Sequence, residues 1–278
     1  MDEKYTIDYF IGEGEKPLDR IQPDGGFCSI FRTMAVVGDS LSSGEFETKL
    51  PDGKTSYNDY FEYSWGQYIA RMCGSRVYNF SKGGMTAAQY CQSFAAERGF
   101  WDPSLAAQAY IIALGCNDFN HDRFPAGDVA TDVFPDDPEK NAGSFAGWYG
   151  RIVSRYKAIS PDAKFFFVTM VRNDKPEFNV KVDRQSKVLY DLCRVFTNCY
   201  VIDLAEYGEK YNQRFKDMFY LHGHLNPAGY VYTAKIIASY IDYIIRHNMK
   251  DFKRVGYIGT PLSDSEMLKK YCVLDGEI

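Results

Sequence analysis

The chain has 278 residues, of which 45% are hydrophobic and 25% charged. Such a composition supports a buried core and excludes disorder, collagen-like repeats and coiled coil as the main architecture. The net charge of −5, with no lysine or arginine run, argues against a nucleic-acid partner.

Residues 33–37 (TMAVV) form an apolar run that stops at Gly38-Asp39-Ser40, as a buried strand does where it meets a turn. Residues 65–72 have helical spacing. Residues 76–80 (RVYNF) predict a second strand, closed by Ser81-Lys82-Gly83-Gly84, and 86–96 a helix with Thr86 as N-cap. A third strand, 109–114, ends in Gly115-Cys116-Asn117-Asp118. Residues 119–140 carry Pro, Gly and Asp and predict a long functional loop. A helix over 142–159 stops at Ser160-Pro161. It is followed by a strand at 164–171, a helix at 180–196 and a strand at 200–204. Asn226-Pro227 opens a last helix running to about Arg246. Strands apolar throughout, alternating with helices, predict a parallel sheet covered on both faces. No internal repeat or linker divides the chain. A single domain over 1–278 is expected, with a core at about 33–247 and packed arms at 1–32 and 248–278.

The longest apolar stretches, 165–171 and 106–116, fall well short of the roughly 18 residues that a membrane span needs. The start Met1-Asp2-Glu3-Lys4 leads into no apolar signal segment, so no membrane association and a cytoplasmic location are expected. Seven cysteines, at 28, 73, 91, 116, 193, 199 and 272, form no CxxC pair. They read as reduced, mostly buried thiols rather than a disulfide framework or zinc ribbon.

Ligands of open α/β sheets bind at the carboxyl edge of the strands. Three strand ends deliver Ser40, Gly84 and Asn117 to that edge, and His222-Gly223-His224 precedes the last helix. A hydroxyl nucleophile, backbone and amide donors and an imidazole are the components of acyl transfer. No GxSxG elbow occurs, so the α/β-hydrolase form of the nucleophile turn is not supported. The two neighbouring histidines invite a metal reading. With four histidines in all, and neither HExxH nor a cysteine pair, no metal and no cofactor are expected. A flavin-binding module would need a phosphate loop after the first strand, where Asp39 would repel phosphate.

Gly38-Asp39-Ser40-Leu41-Ser42 resembles the first block of the SGNH, or GDSL-like, serine hydrolases. Gly84-Met85-Thr86, preceded by Asn79, resembles the second block, and Gly115-Cys116-Asn117-Asp118 the third. His224-Leu225-Asn226-Pro227-Ala228-Gly229-Tyr230 resembles the fifth. The blocks stand in family order and span roughly 33–247. The resemblance implies a three-layer α/β/α sandwich with a flavodoxin-like five-stranded parallel sheet. It implies Ser40 as nucleophile, His224 as general base, and an oxyanion hole formed by the Ser40 and Gly84 backbone N–H groups and the Asn117 amide. Members of the triad type carry Asp three residues before the histidine, where this chain has Leu221. A backbone carbonyl that orients His224 in a Ser–His dyad is one expectation; Asp217, or an acid from another loop, is the other. With no carboxylate on the imidazole, its pKa would stay near 6.5.

The expected activity is hydrolysis of a small acyl ester, acetyl first, on a carbohydrate, through a Ser40 acyl-enzyme. Tyr57, Tyr60, Tyr63 and Trp65 are candidates to stack on a sugar ring. A lysophospholipase or thioesterase is the enzymatic alternative, and a catalytically weak relative that binds a carbohydrate ester the non-enzymatic one. The oligomeric state is not readable from sequence.

Overall fold

The structure is a computed structural model that describes residues 10–120 and 124–261. Its strands in chain order are β1 (Thr33–Gly38), β2 (Glu45–Lys49), β3 (Thr55–Asp59), β4 (Arg76–Ser81), β5 (Ala109–Ala113), β6 (Lys164–Val168), β7 (Cys199–Ile202), β8 (Tyr220–Leu221) and β9 (His224–Leu225). Five of them form one parallel sheet in the order β4-β1-β5-β6-β7. Counted within this sheet alone, the order is the flavodoxin-like 2-1-3-4-5, and it reverses between β1 and β5. This is the expected fold, and Ser40 and Asn117 flank the reversal.

The sheet is covered on both sides because its strands are apolar on both sides. On β6, Phe165 and Phe167 join one core with Tyr110, Tyr149 and Tyr156. Phe166 joins the other with Val36, Trp65 and Ile111. The second core is closed by the helix Pro227–His247, which presents Ile237, Ile241 and Ile245 at four-residue intervals. Asn226 caps that helix by accepting from Gly229 N at 2.9 Å.

Several boundaries differ from the sequence expectation. β6 stops at Val168 rather than at 171: Thr169 N still donates to the Ile202 carbonyl at 3.1 Å, but Met170 N turns to Gln185 Oε1 at 2.9 Å. β7 ends early because Asp203 caps the helix Leu204–Tyr207. The helix expected at 180–196 begins earlier, at Pro176, whose missing N–H costs nothing in a first turn. Thr86 caps as expected, but its helix contains a π turn over Tyr90–Phe94. The loop at 119–140 holds a helical turn, Val129–Asp132, and a 3-10 turn, Pro138–Lys140; part of it lies outside the described residues.

The β2–β3 hairpin, absent from the sequence reading, lies off the main sheet directly after the helix Ser40–Ser43. Of the arms, the described parts pack on the last helix and the sheet. Gln22 N donates to Ser239 Oγ at 2.9 Å, and Arg246 pairs with Glu15 at 2.6 Å. Residues 1–9 and 262–278, with Cys272, lie outside the described residues. Among the described residues the six remaining cysteines are free, and no helix is long and apolar enough to cross a membrane.

Candidate active site

The turn after β1 is built around Gly38 and Asp39. A Cβ on Gly38 would lie 2.2 Å from Ser42 Oγ, so only glycine fits. Asp39 caps the helix Ser40–Ser43: its Oδ1 accepts from Leu41 N at 3.2 Å, and its carbonyl accepts from Ser42 N and Ser43 N. Ser40 is thereby the first residue of that helix, half-buried at the sheet edge. Its Oγ has no hydrogen-bond partner among the described residues. Of its neighbours, Ser43 Oγ is bound to Asp59 and to the Ser40 carbonyl, and Ser42 is 1% exposed. Burial pushes the Asp39 carboxyl up to about 6, against the opposing effects of the Leu41 N–H and of His224.

Across from Ser40 stand the loops that follow β4 and β5. Gly84 has φ +73°, a left-handed conformation natural to glycine, and a Cβ there would meet open space. Among the described residues neither the Ser40 N–H nor the Gly84 N–H finds a hydrogen-bond acceptor. Asn117 Nδ2 donates to the Met85 carbonyl at 3.2 Å and so ties the two loops together; its second amide hydrogen stays available. Asp118, 2% exposed, fixes the next turn by accepting from Ala87 N at 3.0 Å. Burial pushes its carboxyl up to about 7, although the Ala87 N–H pulls the other way.

The fold therefore binds a proton at Asp118 that the unfolded chain releases near pH 4, so this group's contribution to stability falls as pH rises from about 4 to about 7. Asp118→Asn keeps the acceptor and removes the buried charge. Chemical denaturation across that range is expected to show a flatter pH dependence for the variant, by up to roughly 4 kcal/mol. An unchanged slope would mean that the carboxyl ionises in the fold without penalty.

The imidazole of His224 enters from β9, which pairs with β8 in a small hairpin, Leu221 opposite His224. The helix Ser40–Ser43 and β2 both pack against β9. His224 Nε2 lies 3.0 Å from Glu45 Oε1, and Nδ1 lies 3.5 Å from Glu47 Oε2. The Tyr57 ring meets the imidazole edge-on, with centroids 5.9 Å apart. Burial alone would lower the His224 pKa, but the carboxylates of Glu45, and then of Glu47, close to the ring outweigh it and raise it above 6.5. The expectation of an imidazole free of carboxylates is thus overturned. Leu221 is largely exposed. Asp217 is exposed too and accepts from Gln213 Nε2 at 2.7 Å, one turn away on its own helix. Among the described residues Nδ1 has no hydrogen-bond partner, carbonyl or other. His222 sits in the turn with φ +58°.

Glu45 and Glu47 are the site residues that the sequence reading missed. The one signal they leave is two acids two residues apart in a strand, which puts both on one face. Of the four aromatics proposed for stacking, Tyr57 alone touches His224. Tyr60 and Tyr63 pack on Phe46, and Trp65 is 2% exposed in the core.

A cavity of about 320 Å³ opens beside the helix Ser40–Ser43 at the carboxyl ends of β5 and β6. Leu41, Trp65, Leu114, Met170 and Phe178 make its apolar walls, while Asn120, Asn173 and Gln185 add amides. Gly223 and Cys116, the neighbours of His224 and Asn117, border it as well. The Cys116 thiol is pushed up to about 12 by burial, which suits a wall rather than a nucleophile.

The GDSL-like Lipase/Acylhydrolase family matches the chain over residues 36–232, which include Ser40, Gly84, Asn117 and His224. No curated protein matches it. Among solved structures, a family two carbohydrate esterase from Clostridium thermocellum in complex with cellohexaose is similar at 17% identity and a TM-score of 0.52, covering 85% of this chain and 66% of that one. Est24, a carbohydrate acetylesterase from Sinorhizobium meliloti, is similar at 15% identity and a TM-score of 0.51, covering 77% and 97%. At these identities the likeness is one of fold.

Proposed function

The chain belongs to the GDSL-like lipase/acylhydrolase family of carboxylic ester hydrolases, and from that premise we propose that it is a serine esterase removing a small acyl group, acetyl first, from a carbohydrate. The observation that carries this reading is the unpartnered Ser40 Oγ at a helix start, beside the strand that bears the His224 imidazole. Ser40 Oγ attacks the ester carbonyl carbon while its proton passes to neutral His224. The carbonyl oxygen gains the negative charge, met by the free N–H groups of Ser40 and Gly84 and by the Asn117 amide. Collapse of this adduct breaks the bond to the alcohol oxygen, which leaves with the proton from His224. Water, deprotonated in turn by His224, then releases the acid and restores Ser40.

Three observations support a neutral sugar as the alcohol. The cavity combines aromatic walls with amides, the lining a sugar ring needs. Asp39, Glu45 and Glu47 around the imidazole disfavour a phosphate-bearing substrate such as a lysophospholipid or an acyl-CoA. Two solved structures of similar fold are a family two carbohydrate esterase and a carbohydrate acetylesterase. A longer acyl group is the second reading, favoured by Leu41, Leu114, Met170 and Phe178 in the same walls.

The test compares kcat/KM on acetylated cello- and xylo-oligosaccharides with that on p-nitrophenyl octanoate and lysophosphatidylcholine. A clear preference for the sugar acetates is expected. Preference for octanoate would select the second reading, and no turnover of any ester would leave a binding protein. Within the proposed reaction, Asn117→Ala is expected to lower kcat by about 10²–10³ with little change in KM, the usual cost of one oxyanion donor. A loss carried mainly by KM would assign Asn117 to substrate binding instead.

A further inference from the structure

We infer that Glu45 and Glu47, delivered by the hairpin that follows the nucleophile helix, act together as the acid that this chain lacks at Leu221, orienting His224 and stabilising its protonated form. The inference rests on the proposed hydrolysis for its catalytic meaning, but the pairing itself is testable without a substrate.

Successive side chains of a strand alternate between faces, so Glu45 and Glu47 share one face of β2 with Phe46 on the other. That face lies against β9. Glu45 Oε1 reaches Nε2 at 3.0 Å and Glu47 Oε2 stands 3.5 Å from Nδ1, so each ring nitrogen meets its own carboxylate. Both acids are held from outside the hairpin. Glu47 Oε2 also accepts from Gly223 N at 2.9 Å, which pins the residue next to the histidine. The Glu45 carbonyl accepts from the buried Tyr230 Oη at 2.7 Å. A Cβ on Gly83 would lie 1.8 Å from Glu45 Oε2, so the carboxylate is seated against the glycine turn.

The elements around the imidazole carry mostly negative charge. β2 supplies Glu45 and Glu47, and the end of β1 supplies Asp39, which is coupled electrostatically to His224. From β3 comes the Tyr57 ring edge, and β8 places Leu221 opposite. The last helix contributes Tyr230, bound to the Glu45 backbone. β2 also carries one cation, Lys49, whose Nζ stands 3.6 Å from Glu47 Oε1 and offsets part of that charge. The Glu47 oxygen that faces the ring is Oε2, and for Glu45 the imidazolium is the counter-charge.

An acid in this role has two duties. It fixes which ring nitrogen carries the proton, and it stabilises the imidazolium formed when Ser40 gives up its own. The two glutamates divide the contacts: Glu45 stands 3.0 Å from Nε2, while Glu47 anchors the loop and faces Nδ1. Glu47 can therefore serve Nδ1 when Nε2 turns to Ser40, and Glu45 can serve Nε2 when Nδ1 does.

The experiment titrates His224 by NMR of the labelled imidazole in the full chain, without ester, for the wild type, Glu45→Gln, Glu47→Gln and the double variant. Glutamine keeps an acceptor for the Gly223 N–H, so the loop stays anchored. Expected is a midpoint above 6.5 in the wild type that falls with each substitution and lies lowest in the double variant. The acid limb of kcat/KM should move with it, while kcat drops by about 10- to 1000-fold and Glu47→Asp recovers part of the loss. Unmoved midpoints in the double variant would overturn the inference. So would lost activity without a moved acid limb, since the glutamates would then be merely structural. A loss confined to Asp217→Asn would return the role to Asp217. Moved midpoints in a chain that hydrolyses no ester would support the pairing and count against the proposed hydrolysis alone.

Discussion

Ser40→Ala is expected to abolish covalent labelling by a fluorophosphonate probe and to reduce kcat on an acetyl ester by about 10⁶, the scale on which a serine nucleophile is lost from a working site. The residue is suited to so clean a test. Its side chain holds nothing in place: Asp39 provides the cap, and Ser40 Oγ has no hydrogen-bond partner among the described residues. Removing it should cost well under ~1 kcal/mol of stability, within the range of ordinary exposed substitutions. The neighbouring hydroxyls are poor substitutes. Ser43 Oγ is committed to Asp59, and Ser42 is buried at 1% exposure. The oxyanion donors survive in the variant, so a residual rate of about 10³–10⁴ over water is expected. Labelling of Ser40→Ala at the wild-type stoichiometry would refute the assignment.

The parallel sheet was legible because β1, β4 and β5 are largely apolar runs that end in glycine turns, so strand type and strand end are written in the same few residues, while β6 is an apolar run throughout. Ser40, Gly84 and Asn117 were legible for that reason. The hairpin was not. Glu45–Asp59 is mostly polar, with Phe46 and Tyr57 as its only aromatics, pairs only with itself, and leaves Tyr57 exposed, so no hydrophobic period marks it. The partner of the imidazole was illegible for a different reason. Asp217 is seven residues from His224 in sequence, yet its carboxylate turns to Gln213. Glu47 is 176 residues from Gly223 and within hydrogen-bond reach of it. Local spacing cannot report a contact that only the crossing of β2 over β9 creates.

His224→Ala is expected to lower kcat by about 10⁴–10⁶, and His222→Ala by less than about tenfold. The two imidazoles differ in their surroundings rather than in their chemistry. His224 is mostly buried between two carboxylates, whereas His222 is exposed in the turn with φ +58°. The wild-type kcat/KM should rise with pH, because only neutral imidazole accepts the Ser40 proton. Its midpoint should lie above 6.5, because Glu45 and Glu47 favour the charged form. The sign for stability is opposite. A histidine whose pKa is raised in the fold contributes stability fully below its unfolded value near 6.5, and loses that contribution as pH rises through the folded value. Activity and this ion pair therefore trade against each other: the pH that frees the base also discharges the contact that holds the β8–β9 hairpin to β2. Denaturation of the wild type should show a fall in stability over the interval in which kcat/KM climbs, and His224→Ala should remove both. A wild-type profile that is flat from pH 6 to 9 would show that His224 is not the titrating base. Greater damage from His222→Ala than from His224→Ala would assign the proton transfer to the exposed imidazole.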